Sequence, residues 1–355
     1  MNENILNRVV KAREGLRDKK TDALIVTTVE NVRYLSGFTG DDSWLALTPR
    51  AVYLLTDSRY TEQAQKECTD CKVVERKVSL AEQATKILGR TGGVKNVGIE
   101  GKASLAVFKA LEKSIKGLKI VSGAVESQRV IKDESEVSAI RKAAKIAAIA
   151  LQKTIRFAKT GISENELAGR LDFEMRRLGA VNSFDTIAAF GPNASRPHHQ
   201  PTDRKLKEND TVLIDFGAKY DGYCCDITRC FSVGKRARAY SRICDTVQKA
   251  QLAAIAKVRA GVKAADVDAA ARQVLKEAGL PLYGHGTGHG LGLEVHESPV
   301  VSAKNGDKKL QAGMVITIEP GVYIPGKTGV RIEDDVLVTE TGCEILTVSC
   351  PHEVF

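Results

Sequence analysis

The chain has 355 residues, of which 43% are hydrophobic and 27% charged, with 53 Lys and Arg against 44 Asp and Glu and a formal net charge of +9. This balance fits a soluble globular enzyme of two domains, or of one large domain and a smaller one. It contains no apolar run of the roughly 18 residues that a membrane span needs, and its basic residues are spread out, without an Arg-rich tail or interleaved aromatics, so neither a membrane nor a nucleic-acid partner is expected.

The polar start Met1-Asn2-Glu3-Asn4 leads into no signal-peptide core, which reads as a cytoplasmic protein. The first ~125 residues alternate short β-like and helical patterns, as an α/β domain does. Strands are expected at Asp22–Val26, Trp44–Leu47, Val52–Leu55, Lys72–Glu75 and Val97–Glu100, and helices over Leu80–Leu88 and Leu105–Ile115. No GxGxxG or GxxxxGK[ST] motif is present, so no nucleotide cradle is expected. Cys68 and Cys71 form a lone CxxC, a weak basis for redox or metal chemistry, and the 8 cysteines are expected as free thiols.

The domain boundary is expected near Ala124 to Lys132, giving domains 1–126 and 127–355. A long amphipathic helix follows, with Val137, Ile140, Ala144, Ala147, Leu151 and Ile155 on one face. Ser163-Glu-Asn-Glu166 reads as a capping box, and Gly179 as the end of the helix it opens. One hundred residues later the pattern recurs: Gly161-Ile162 matches Gly261-Val262, and Gly179 matches Gly279. Leu206 to Gly217 resembles Leu310 to Gly321, which aligns Asp215 with Glu319, and further on Asp226 with Glu333. Each copy leads to a histidine, His198 or His296. The second part therefore reads as an internal duplication with a pseudo-twofold.

Between Asp215 and Asp226, Lys219-Tyr-Asp-Gly222 has hairpin-turn chemistry; a turn centred between Tyr220 and Asp221 would set the two aspartates opposite each other. The strand Thr211–Ile214 reads as buried, so the carboxylates need a cation or a shared proton. Adding Glu319, Glu333 and His289, from the Gly-rich stretch Gly284 to Glu297, makes four carboxylates and one imidazole. That suits two divalent ions about 3.5–4 Å apart, the arrangement that activates a water for hydrolysis. The oxygen-dominated set favours manganese, iron or cobalt, with zinc less favoured. HExxH and GxSxG motifs are absent.

Taken in order, Gly-Pro-Asn-Ala-Ser-Arg-Pro-His198-His, Leu-Ile-Asp215-Phe-Gly, Cys-Asp226-Ile-Thr-Arg, Gly-Thr-Gly-His289-Gly-Leu-Gly-Leu-Glu-Val-His296-Glu, Thr-Ile-Glu319-Pro-Gly and Arg331-Ile-Glu333-Asp-Asp resemble the pita-bread metallopeptidases. The resemblance is strongest to the proline-specific branch, Xaa-Pro aminopeptidase and Xaa-Pro dipeptidase (prolidase). Asn31-Val-Arg-Tyr-Leu-Ser-Gly-Phe38 resembles the creatinase-type N-terminal domain of that branch.

The resemblance implies an α/β N-terminal domain followed by an α+β pita-bread catalytic domain. Asp215, Asp226, His289, Glu319 and Glu333 would bind two divalent ions, Mn²⁺ foremost, with Asp226 and Glu333 bridging. His198, His296 and Glu319 would be catalytic, and His285, Tyr323 and Arg331 would line the substrate pocket. The implied activity is removal of one N-terminal residue from short peptides with proline in second position, by a homodimer. Other readings are a non-proline or methionine-type aminopeptidase, a metal-free creatinase-like amidinohydrolase, and a non-enzymatic binding protein on this fold. The intact ligand set argues against the last two. His199 and His352 receive no role, and Arg196 stands where a small or apolar residue is expected.

Overall fold

The computed structural model describes residues 3–235, 237–305 and 307–350. The chain forms two compact units, Met1–Arg129 and Val130–Phe355.

The first unit carries helices α1 (Glu3–Asp18), α2 (Val29–Ser36), α3 (Thr61–Glu67), α4 (Leu80–Arg90), α5 (Leu105–Glu112) and α6 (Glu126–Arg129). Its strands are β1 (Ala23–Val26), β2 (Trp44–Leu47), β3 (Val52–Thr56), β4 (Lys72–Glu75), β5 (Val97–Glu100) and β6 (Lys119–Val121). They make one mixed sheet in the order β4-β3-β2-β1-β5-β6. All four residues of β1 are buried, as expected for a central strand covered on both faces. The expected strands are present. β6 was not anticipated: only Val121 of its three residues is buried, too little apolar pattern to read from sequence.

The second unit has helices α7 (Glu134–Ile155), α8 (Glu164–Arg177), α9 (Arg238–Ile255) and α10 (Ala264–Glu277). Its first strands are β7 (Val181–Asn182), β8 (Ile187–Phe190), β9 (Thr211–Phe216), β10 (Ala218–Tyr220), β11 (Tyr223–Cys224) and β12 (Ile227–Ser232). Then come β13 (Gly288–Gly290), β14 (Glu297–Val301), β15 (Val315–Ile318), β16 (Gly321–Ile324), β17 (Thr328–Arg331), β18 (Asp334–Val338) and β19 (Cys343–Ile345). The principal sheets run β12-β9-β8 and β14-β13-β15-β18-β19.

Local signals in the sequence are realised here. Asp133 caps α7 by accepting from Ser135 N and Glu136 N, and Val137, Ile140, Ala144, Ala147 and Leu151 are buried along it. Ser163 and Glu166 form the expected capping box of α8. The duplication is visible in matching hydrogen bonds. Gly161 N donates to Leu206 O at 2.9 Å and Leu206 N to Ile162 O at 2.8 Å; Gly261 N donates to Leu310 O at 2.9 Å and Leu310 N to Val262 O at 2.8 Å.

Two apolar cores result. Val212, Ile214 and Phe216 of β9 pack with α7 and α8, while Leu213 joins the core built around α9 and α10. Strand alternation therefore places Asp215, which shares parity with Leu213, on the face of β9 that looks toward the second half.

Candidate metal centre

Each acidic residue of the cluster is delivered by a strand or its end. Asp215 lies in β9, Asp226 just before β12, Glu319 just after β15, and Glu333 between β17 and β18. The hairpin between the aspartates differs from expectation by one residue. Tyr220 pairs with Tyr223, so the turn is Asp221-Gly222, with φ of +46° and +77°. Positive φ at both central positions is a type I′ geometry, favoured by Asp-Gly. The later turn shifts the register, and Asp215 pairs with Thr228 rather than with Asp226.

His289 sits in β13, where Gly288 permits the close approach of Thr317: a Cβ on Gly288 would lie 1.8 Å from Thr317 O. His289 Nδ1 meets Gly290 O at 3.1 Å. Donation there leaves Nε2 as the lone-pair nitrogen, and burial lowers the proton affinity of this ring. Nε2 faces Glu319 Oε1 at 3.5 Å and Asp226 Oδ2 at 3.7 Å.

Ligand atoms of Asp226, His289 and Glu333 lie within 4.8 Å of one another. Burial, then the neighbouring carboxylates, pushes Asp226 and Glu333 well above the usual carboxylate range. Oδ1 of both Asp215 and Asp226 is buried without a hydrogen-bond partner. Unsatisfied carboxylate oxygens around an imidazole lone pair make a donor set that fits divalent metal. Asp215 instead receives Arg331 through its NH2 group at 2.5 Å.

Arg331, Tyr323 and His285 form a chain. Arg331 NH1 donates to Tyr323 OH at 2.8 Å, and Tyr323 OH meets His285 Nε2 at 3.1 Å. His285 Nδ1 is 2.7 Å from Gly286 O and 3.9 Å from Glu319 Oε2. His296 packs its ring on His289 with centroids 4.3 Å apart, and it is exposed, as is His198. Burial lowers the proton affinity of His296, and the nearby His289 and His198 lower it further. His199, which received no role from the sequence, lies in a separate buried cluster with Glu164. His352 lies outside the described residues. Arg196 is exposed and donates to Asn193 Oδ1 at 2.5 Å.

Sequence reading missed the residues that hold the cluster in place. Thr228 Oγ1 donates to Glu333 Oε2 at 2.6 Å and accepts from Arg331 Nε at 3.0 Å. Asp335 accepts from Asp226 N at 3.1 Å. Arg229 is fully buried, donating to Asp334 Oδ1 at 2.7 Å and to Glu333 O at 2.6 Å. Thr228 and Arg229 stand in the same Cys-Asp-Ile-Thr-Arg motif as Asp226, so adjacency was a usable signal; for Asp335 it was the run Glu-Asp-Asp. Burial pushes the Cys68 thiol up to about 11 and the Cys71 thiol up to about 12.

Residues 138–340 match the model of metallopeptidase family M24, and residues 8–131 that of the creatinase/prolidase N-terminal domain. An uncharacterized peptidase of Bacillus subtilis, YqhT, is 39% identical over 338 residues, which span 94% of this chain and 95% of the relative. Among solved structures, an Xaa-Pro dipeptidase from Bacillus anthracis superposes with a TM-score of 0.94 at 35% identity, covering 99% of each chain. An X-Pro aminopeptidase from Thermotoga maritima gives a TM-score of 0.88 at 36% identity, covering 96% of this chain and 99% of that one.

Proposed function

Because the chain belongs to metallopeptidase family M24, we propose that it is a dinuclear exopeptidase cleaving the Xaa-Pro bond at the N-terminus of short peptides. One observation carries this reading: ligand atoms of Asp226, His289 and Glu333 lie within 4.8 Å of one another, with Glu319 Oε1 3.5 Å from His289 Nε2 and buried oxygens of Asp215 and Asp226 unsatisfied, beside two exposed histidines. Asp215, Asp226, His289, Glu319 and Glu333 would hold two divalent ions, whose charge would balance the four carboxylates. When bound, such ions polarise a carbonyl and lower the pKa of water. Mn²⁺ is the expected metal, given mostly oxygen donors, with Co²⁺, Zn²⁺ and Fe²⁺ as alternatives.

The remaining steps belong to the protein. His296 and His198 donate hydrogen bonds to the oxygen that gains charge as the carbonyl is attacked. Glu319, steadied by Thr317 Oγ1 at 3.3 Å, takes the proton of the attacking water. Arg331, Tyr323 and His285 orient the substrate through a single hydrogen-bonded chain. An Xaa-Pro amide nitrogen carries no hydrogen, so recognition relies on shape and carbonyl contacts. The acidic centre holds the free amino group, which limits cleavage to one residue.

Both an Xaa-Pro dipeptidase and an X-Pro aminopeptidase are similar at comparable identity, which supports proline preference and leaves peptide length open between them. The test compares kcat/KM for an Ala-Pro peptide with those for its Ala-Ala and Met-Ala equivalents. The Ala-Pro peptide should be preferred, and its N-acetylation should block cleavage. Equal or better turnover of the other two would favour a broad or methionine-type aminopeptidase.

A further inference from the structure

Glu164 opens α8 with its carboxylate fully buried, and the chemistry above makes no use of it. Its Oε1 accepts from Phe190 N and Asn193 Nδ2, both at 2.8 Å. Its Oε2 accepts from Thr202 Oγ1 at 2.6 Å and Thr202 N at 3.0 Å, and meets His199 Nε2 at 2.9 Å. Burial alone would raise this carboxyl, but the donors from His199, Thr202, Asn193 and Phe190 bring it below the ordinary value. An ionised Glu164 requires His199 Nε2 to carry a proton and donate.

These donors bracket the loop that carries His198. On the other side of His198, Pro197 O accepts from Arg331 NH1 at 3.5 Å. The backbone of His198 therefore runs between two anchors, Arg331 of the pocket chain and Glu164 through His199. Five donors satisfied by one carboxylate define a single loop path, because any other path leaves buried polar groups unpaired.

The second half uses the same device. Asp268 of α10 is buried and accepts from Thr287 Oγ1 at 2.6 Å and from Arg272 Nε at 2.8 Å. Arg272 in turn donates to Tyr283 O at 2.8 Å and His285 O at 2.7 Å, holding the segment that bears His285. In each half, a buried acid on the helix grips the segment that presents a pocket histidine.

We propose that Glu164, acting through His199, is a positioning residue that sets where His198 stands against the substrate. This rests on reading His198 as a substrate contact. Glu164→Gln replaces one accepting oxygen with an amide that faces N–H and O–H donors, so the loop must shift. A misplacement of about 1 Å can cost about 10²-fold in rate.

The experiment uses the metal-loaded full chain and an Ala-Pro peptide. The variants are Glu164→Gln, His199→Leu, His199→Gln, His198→Ala, and the first two combined with His198→Ala. Glu164→Gln and His199→Leu should lower kcat/KM by about 10- to 100-fold with bound metal unchanged. His199→Gln, which keeps an N–H donor, should retain most activity. In the His198→Ala background both losses should shrink to less than about two-fold, since residues acting through one another are not additive. A full loss repeated in that background, lost metal, or unchanged kcat/KM in both single variants would overturn the proposal. Should Glu164→Gln fail to fold, the His199→Leu cycle decides alone. If His198→Ala leaves kcat/KM unchanged, the reading of His198 fails and the proposal with it, and this arm shows that the fault lies there.

Discussion

Thr228 and Glu333 are joined twice: their backbones form an isolated antiparallel bridge, and Thr228 Oγ1 donates to Glu333 Oε2 at 2.6 Å. The contact ties β12 of the first half to the start of β18 in the second, at the residues flanking the acidic cluster. The same hydroxyl receives Arg331 Nε at 3.0 Å, so one threonine fixes the Glu333 carboxylate and the Arg331 guanidinium together.

Thr228→Val keeps the shape and removes the hydroxyl. Outer partners of metal-binding groups are worth about 10- to 100-fold in affinity or activity. Thr228→Val should lose within that range in metal affinity or kcat/KM while its melting temperature stays close to the parent's. Metal titration followed by assay is the check, and unchanged values for both would remove Thr228 from the site.

Metal dependence follows from Asp226 and Glu333. Exhaustive chelation should abolish hydrolysis, and Mn²⁺ or Co²⁺ should restore it. Elemental analysis should find two ions per chain, and fewer in Asp226→Asn or Glu333→Gln. Full activity in a metal-free preparation would contradict the assignment.

His296 is expected to act on the reacting carbonyl without holding metal. His296→Ala should lower kcat by about 10²- to 10⁴-fold, the range for a lost acid–base or polarising group, with metal content retained. Loss of metal in this variant would instead make His296 a ligand.

The capping box of α8 gives a pH-dependent contribution to stability. The N–H of Ser163 and then Lys205 hold Glu166 down to about 2, against an ordinary value of 4.5. A carboxyl depressed on folding stabilises the native state above its unfolded value, and that contribution fades as pH falls toward the folded one. The stability difference between parent and Glu166→Gln should therefore be present at neutral pH and narrow below about pH 4.5. Urea melts across that range measure it; a difference that widens with acid would reverse the sign.

Features that depend on neighbours in sequence were legible from sequence. The Ser163 cap, the buried face of α7 and the central strands of the first unit follow from spacing within a turn or a strand. The repeat of Gly161-Ile162 at Gly261-Val262 was legible too, and it appears as the same hydrogen bonds to Leu206 and Leu310. The residue types of the acidic cluster could be listed because short motifs carry them.

What the tertiary structure alone decided concerns registers and partners distant in sequence. Residue identity did not say whether the hairpin turned at Tyr220-Asp221 or at Asp221-Gly222, and that one-residue difference put Thr228 opposite Asp215. Nor did it say that Arg331 reaches Asp215 across 116 positions, or that His199 faces Glu164 across 35. The physical reason is that side-chain spacing along one element is set by the backbone period. Contacts between elements are set by strand register and by packing across both halves, which no local period encodes.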